Sequence, residues 1–173
     1  MRSAALLLLT FLLMALESPL LSEVGIAAYV PDLALIVTIY LGLTTTHEKG
    51  IVLAAMVGLM HDAFALGSPV GLHMEIAVLT FLVSHRVSRH LLLRGPLGSM
   101  IIAFTFSVGA SLVELVLSLI FVRNFTQGVG GPGPLLTAMV PQALVTAPFG
   151  AVLFWLLDRL DGFVTKRNES VFS

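Results

Sequence analysis

Long apolar runs cover almost the whole chain, and short segments rich in charge, glycine or proline separate them. A helix needs roughly 20 residues to cross a bilayer, and these runs have about that length. The pattern therefore predicts about six membrane-spanning helices, at residues 3–21, 31–46, 50–66, 71–91, 97–122 and 135–160. The predicted fold class is all-α, an integral membrane protein with a single polytopic domain over residues 1–173.

The first two predicted helices are the least regular part of the pattern. Glu17, Pro19, Glu23 and Pro31 interrupt residues 1–46, so a single broken helix is an alternative there. The N-terminus resembles a signal peptide, but no small-x-small cleavage site follows it and further apolar runs do. The first run is therefore predicted to be a retained membrane helix.

Composition supports a membrane protein and excludes several other classes. Hydrophobic residues make up 57% of the chain and charged residues 11%, which is too little charge to cover the surface of a soluble domain. The absence of cysteine excludes disulfides and thiolate metal sites. A net charge of −1 gives no electrostatic argument for nucleic acid.

The basic residues indicate an orientation. With six helices, Arg123 falls alone on one side, and the other eight basic residues fall on the opposite side: Arg2, Lys49, Arg86, Arg89, Arg94, Arg159, Lys166 and Arg167. Because cytoplasmic loops carry an excess of Lys and Arg, this second side, with both termini, is predicted to face the cytoplasm. An odd number of helices would scatter these charges.

Small residues follow one stripe of the third predicted helix. Gly50, Ala54, Gly58 and Asp62 recur every four residues, and the three small ones would let another helix approach closely. Asp62 either caps the outer end of the helix by bonding the turn that follows, or contacts a partner or a ligand.

Polar residues also interrupt the fifth and sixth predicted helices. Glu114 lies about two turns inside the outer end, where an acid is costly unless it is protonated, paired or hydrated. It is either a proton, cation or partner site, or a neutral carboxyl bonded to neighbouring Ser, Thr or Gln. Gln142 and Thr146 share a face of the sixth helix, where Pro141 and Pro148 predict a bend that serves packing or walls a cavity.

Catalytic chemistry has no recognisable pattern in the chain. The sequence lacks a G-x-S-x-G elbow, a P-loop and a dinucleotide fingerprint, so we expect neither an enzyme nor a cofactor. A metal site across the outer turn from His61, Asp62, His73 and Glu75 is geometrically possible. Histidines at helix ends are more often interfacial, so no metal is expected.

A set of short motifs resembles a known family. They are Pro31-Asp32, Tyr40-Leu41-Gly42, Gly50, Gly58 to Asp62, and Ser68-Pro69-Val70-Gly71-Leu72. In this order, and with this size and hydropathy, the chain resembles the rod shape-determining protein MreD family of bacteria. Val70 stands where leucine is commoner in that family.

The resemblance implies a non-enzymatic inner-membrane subunit of the cell-elongation machinery, which supports cell shape and lateral peptidoglycan synthesis. The implied partners are MreC, then MreB, RodA and a penicillin-binding transpeptidase, with membrane lipid around them. Asp62, Pro69 and Gly71 would shape the outer end of helices three and four, and the MreC helix would dock on a small-residue face. The family also looks like the membrane substrate-binding subunits of energy-coupling-factor transporters, so the alternative function is a vitamin-like small-molecule binding subunit of a transporter.

Overall fold

The chain folds into α-helices throughout the part that the structure describes. The computed structural model describes residues 2–24, 30–64, 71–88, 95–121 and 132–169. The helices are α1 (Arg2–Val24), α2 (Leu33–Thr44), α3 (His47–Phe64), α4 (Leu72–Ser88), α5 (Pro96–Phe121) and α6 (Pro132–Glu169). The prediction of an all-α fold is confirmed for the described residues, which form six helices; that all six cross the membrane stays a prediction.

Helix α6 is longer than predicted. It continues to Glu169, nine residues past the predicted end at residue 160. The charged residues that ended the prediction limit membrane burial but do not end a helix, because a helix can continue in water. Helices α1 and α2 are separate helices that contact each other, in agreement with the two helices predicted for this part of the chain.

Helix α2 lies at the centre of the bundle. It contacts each of the other helices, and its residues 33–42 are all buried. Its 12 residues rise about 18 Å, which is less than the roughly 30 Å hydrocarbon thickness of a bilayer. Helix α2 is therefore enclosed by protein, and the longer helices around it extend beyond its ends.

Small residues set the distances between neighbouring helices. A Cβ atom at Gly58 of α3 would lie 2.5 Å from the Cα atom of Met74 in α4. A Cβ atom at Gly150 of α6 would lie 2.5 Å from the Cβ atom of Ala103 in α5. The pairs α3–α4 and α5–α6 are accordingly the most extensively packed in the described part of the chain.

The outer surface of the bundle is apolar. Exposed large side chains include Phe11, Val52, Leu79, Leu112 and Phe149. Within the described residues, the segments Pro96–Leu117 and Met139–Gly162 are long and apolar enough to cross a membrane, and most of each segment is not covered by protein. Two shorter helical segments, Ser3–Ala15 and Leu33–Thr44, are also apolar. An all-helical fold with this surface is consistent with a membrane protein, as predicted.

Helices α2 to α6 alternate in direction, so alternate ends of these helices meet. The starts of α2, α4 and α6 and the ends of α3 and α5 come together around one cavity, described below. We call this the Asp62 end of the bundle. The opposite end carries the last turn of α2, the start of α5 and the later part of α6.

Candidate functional site

Asp62 joins α3 to α4 at the Asp62 end. One carboxylate oxygen, Oδ2, accepts hydrogen bonds from the backbone nitrogens of Gly71 at 2.8 Å and Met74 at 3.3 Å. The other, Oδ1, accepts from the backbone nitrogen of His73 at 3.0 Å and contacts its ring Nδ1 at 2.9 Å. The first N–H groups of a helix have no acceptor within that helix. At the start of α4 the Asp62 carboxylate, which belongs to the preceding helix, is that acceptor.

The turn before α4 requires glycine. Gly71 has a φ of +103°, in a region that residues with a Cβ atom rarely adopt. This conformation brings its N–H group to the Asp62 carboxylate. Asp62 therefore caps α4 within the chain, which corresponds to the first of the two alternatives that the sequence left open. Pro69 lies outside the described residues.

Asp32 performs the same role at the start of α2. Its Oδ1 accepts a hydrogen bond from the backbone nitrogen of Leu35 at 2.8 Å, which makes Asp32 the N-cap residue. Its own backbone N–H donates to the hydroxyl of Thr146 in α6 at 3.2 Å. The Pro31-Asp32 motif thus starts the central helix, and Thr146 fixes that start against α6.

A polar cavity of about 220 Å³ lies between five helices at this end. It forms where α2 begins at Asp32, while the helices around α2 continue past it. The residues lining it include Asp32 and Thr38 of α2, Gly58 and His61 of α3, His73 and Ala77 of α4, Ser107, Ser111 and Glu114 of α5, and Gln142 of α6. The structure thus brings together Asp32, Gly58, Glu114 and Gln142, which the sequence had singled out on four separate helices.

Several polar side chains of the cavity have no hydrogen-bond partner in the protein. The carboxylate of Glu114, the amide of Gln142 and the hydroxyl of Ser107 donate or accept no hydrogen bond among the described residues. No side-chain nitrogen or oxygen of the described residues is both fully buried and without a partner, so these three groups border space that solvent can reach. Among the described residues, Glu114 is thus bonded to no neighbouring Ser, Thr or Gln, and its role stays a prediction.

The imidazoles of the cavity were not expected to belong to it. The rings of His61 and His73 lie 4.2 Å apart between centroids. His73 is oriented by Asp62, whereas Glu75 is exposed on the outside of α4. Among the described residues, no group of three or more His, Asp or Glu side chains is arranged to hold a metal ion. One signal in the sequence could have indicated these histidines: polar residues recur near the Asp62 end of every helix from α2 to α6.

The small-residue stripe of α3 is covered from within the chain. Gly50 approaches the ring of Phe81 in α4, Ala54 is fully buried, and Gly58 contacts the backbone of α4. These residues pack helices of the same chain. Docking of a partner helix on this stripe stays a prediction, and α4 occupies the place such a helix would need.

Two further recesses lie outside the polar cavity. One, of about 1000 Å³, lies at the opposite end between α2, α5 and α6, and its lining includes Tyr40, Phe154 and Asp158. The other, of about 480 Å³, is an apolar groove between α4 and α5. Neither recess was predicted. Each forms where two or more helices diverge, and the sequence of a single helix does not show where that happens.

The comparisons with known proteins give one match. A family model described as rod shape-determining protein MreD matches residues 2–157 of the chain. No curated protein and no solved structure gives a significant match. The likeness to the substrate-binding subunits of energy-coupling-factor transporters therefore stays a prediction.

Proposed function

The chain belongs to the MreD family of rod shape-determining proteins, and from this premise we propose that it is a non-enzymatic subunit that binds the membrane helix of MreC. In this proposal it holds MreC within the elongation complex, beside MreB, RodA and a penicillin-binding transpeptidase. It thereby supports lateral peptidoglycan synthesis.

The observation that carries the proposal is the apolar groove between α4 and α5. Its walls are Ile76, Leu79, Thr80, Val83 and Val87 of α4, and Ile101, Ile102, Thr105, Phe106, Gly109, Ala110 and Val113 of α5. The only polar atoms these side chains contribute are the hydroxyls of Thr80 and Thr105. We call this surface the α4–α5 groove.

A membrane helix suits the α4–α5 groove better than a soluble segment does. The lining of α4 extends over residues 76–87, which corresponds to a rise of about 17 Å, or three helical turns. Because lipid provides no hydrophobic drive between helices, association in a bilayer depends on close packing and small residues. Gly109 offers such a position, since nothing lies within 4 Å of where its Cβ atom would be.

The proposed orientation places the Asp62 end outside the cell and both termini in the cytoplasm of an inner-membrane, multi-pass protein. Lys49, Arg86 and Arg159 lie on the parts of α3, α4 and α6 at the opposite end, which supports this orientation through the excess of positive charge inside. At that end the guanidinium of Arg159 lies 5.4 Å from the ring centroid of Trp155. An exposed Trp beside a cation is typical of a membrane interface.

Site-specific photo-crosslinking in cells tests the proposal. A photoreactive amino acid at Val83 or Ile101, both exposed in the α4–α5 groove, is expected to crosslink to MreC. The controls are Val52 and Leu59, which are equally exposed apolar positions on α3 outside the groove. Two outcomes would show that the α4–α5 groove is not the contact. In one, the α3 positions crosslink to MreC as strongly as the groove positions. In the other, the groove positions do not crosslink although MreC still co-purifies.

A further inference from the structure

We propose that the polar cavity at the Asp62 end is a binding site for an alkylammonium group. The group would be carried either by a small free amine or by the headgroup of an aminophospholipid. This inference does not depend on the docking of MreC, since the cavity lies inside the bundle and the α4–α5 groove lies on its surface.

The charge of the cavity favours a cation. The residues that line it supply two carboxylates, Asp32 and Glu114, and neither lysine nor arginine is among these described residues. Glu114 lies close enough to Asp32 and His73 for their charges to act on it. Two carboxylates that face one small space repel each other, and a bound cation relieves that repulsion.

The hydrogen-bonding groups of the cavity match the three donors of an ammonium. The carboxylate of Glu114, the side-chain oxygen of Gln142 and the hydroxyl of Ser107 have no partner among the described residues. Asp32 uses only Oδ1 in its cap, so Oδ2 is available as a further acceptor. An ammonium donates three hydrogen bonds and accepts none, so it would satisfy groups that the protein leaves unpaired.

The imidazole of His73 is held in place by Asp62. Its Nδ1 lies 2.9 Å from the Asp62 carboxylate, and a carboxylate only accepts, so Nδ1 carries a proton.

The frame of the cavity is held in place before any ligand enters. Asp62 ties α3 to α4 through three backbone N–H groups, and Thr146 ties α6 to the start of α2. These two are positioning residues, since neither is needed to touch the ligand. A site whose acceptors are already fixed loses little conformational entropy when the cation binds.

The size of the cavity limits the ligand. Its 220 Å³ is below the roughly 300–1,000 Å³ of pockets that hold drug-sized molecules. An ethylammonium ion or the amine of a phosphatidylethanolamine headgroup fits this limit, and a vitamin-sized molecule exceeds it. This cavity is therefore too small for the vitamin-like ligand that the sequence left as an alternative.

The test uses the full chain in nanodiscs of phosphatidylcholine, with ethylammonium as the probe in isothermal titration calorimetry. Ethanol and acetate are the neutral and anionic controls. We expect saturable binding of ethylammonium alone. Glu114→Gln keeps the side-chain shape and removes the charge, so it is expected to weaken binding about tenfold or more, as loss of a charged hydrogen bond does. Glu75→Gln is the matched control. Glu75 lies at the same end of the bundle as Glu114 but outside the cavity, so this variant is expected to leave binding unchanged.

A second arm distinguishes the two sources of the ammonium. If a lipid headgroup is the ligand, replacing part of the phosphatidylcholine by phosphatidylethanolamine raises the Tm of the wild type but not of Glu114→Gln. Asp32→Asn, which keeps the cap acceptor, serves as a second variant should Glu114→Gln fail to fold. The proposal is overturned if neither probe gives an effect that depends on Glu114 or Asp32, or if Glu75→Gln reduces binding as much as Glu114→Gln does.

Discussion

The carboxylate of Asp62 lies 3.0 Å from the backbone nitrogen of His73 and 2.9 Å from its ring Nδ1, although the two residues belong to different helices. The side chain of Asp62 is almost entirely covered by protein. One buried acid therefore caps α4, orients an imidazole of the polar cavity and fixes the crossing of α3 and α4.

Replacing Asp62 should destabilise the protein strongly. Asp62→Ala leaves three backbone N–H groups at the start of α4 without an acceptor, and we expect the free energy of unfolding to fall by about 2–4 kcal/mol. Asp62→Asn retains one acceptor oxygen and should cost about half as much. Thermal unfolding in detergent measures both. Glu75→Ala removes an exposed acid from the same first turn, and a drop as large as that of Asp62→Ala would contradict the capping role.

Adding a single methyl group at Gly58 should separate α3 from α4. In Gly58→Ala the new Cβ atom would meet the Cα atom of Met74 and the carbonyl oxygen of His73, which are backbone atoms that cannot rotate away. Overpacking of this kind costs about 1–3 kcal/mol. The matched control is Gly109→Ala, a helical glycine with open space around its Cβ position, which should be neutral or slightly stabilising. Equal Tm values for the two variants would contradict the close approach of α3 and α4.

Filling the α4–α5 groove should weaken MreC binding without weakening the fold. Gly109→Leu places a side chain into the groove where no protein atom lies within 4 Å of the Cβ position. We expect an unchanged Tm and less MreC recovered by affinity purification. Gly162→Leu makes the same change at an open glycine of α6 outside the groove, and should recover MreC at the wild-type level. Equal recovery with both variants would argue that MreC binds elsewhere.

Removing the hydroxyl of Tyr40 should loosen the end of the bundle opposite Asp62. Tyr40 is buried in α2, and its hydroxyl donates a 2.7 Å hydrogen bond to Oδ2 of Asp161 in α6. Tyr40→Phe leaves the ring packing against Phe154 intact and removes the hydroxyl that makes this bond. The expected loss is about 1–2 kcal/mol of unfolding free energy, measured by thermal unfolding. Asp161→Asn keeps an acceptor oxygen and should lose less unfolding free energy than Tyr40→Phe. A larger loss in Asp161→Asn than in Tyr40→Phe would show that this hydrogen bond is not what stabilises the contact.

The local features of the polar residues could be anticipated from sequence, whereas their contacts could not. Asp62 at the end of an apolar run, followed by a glycine-containing turn, indicated a cap, but not that the acceptor serves the first turn of the next helix. Glu114 and Gln142 stood out as costly polar groups in apolar runs. Ser107 did not, and His61 and His73 stood out only as possible metal ligands, because serine and histidine occur in membrane helices for many reasons and only their convergence is informative.

The amino-acid sequence by itself predicted an all-helical fold and the position of each helix in the described residues to within a few residues at most ends, because the hydrophobicity of a segment is a local property. The tertiary structure decided which side chains meet. Whether Asp32, Ser107 and Glu114 face one cavity depends on the rotation and the height of α2 and α5 relative to each other. Those are set by contacts between helices, such as Gly58 against Met74 and Gly150 against Ala103, and no single helix encodes them.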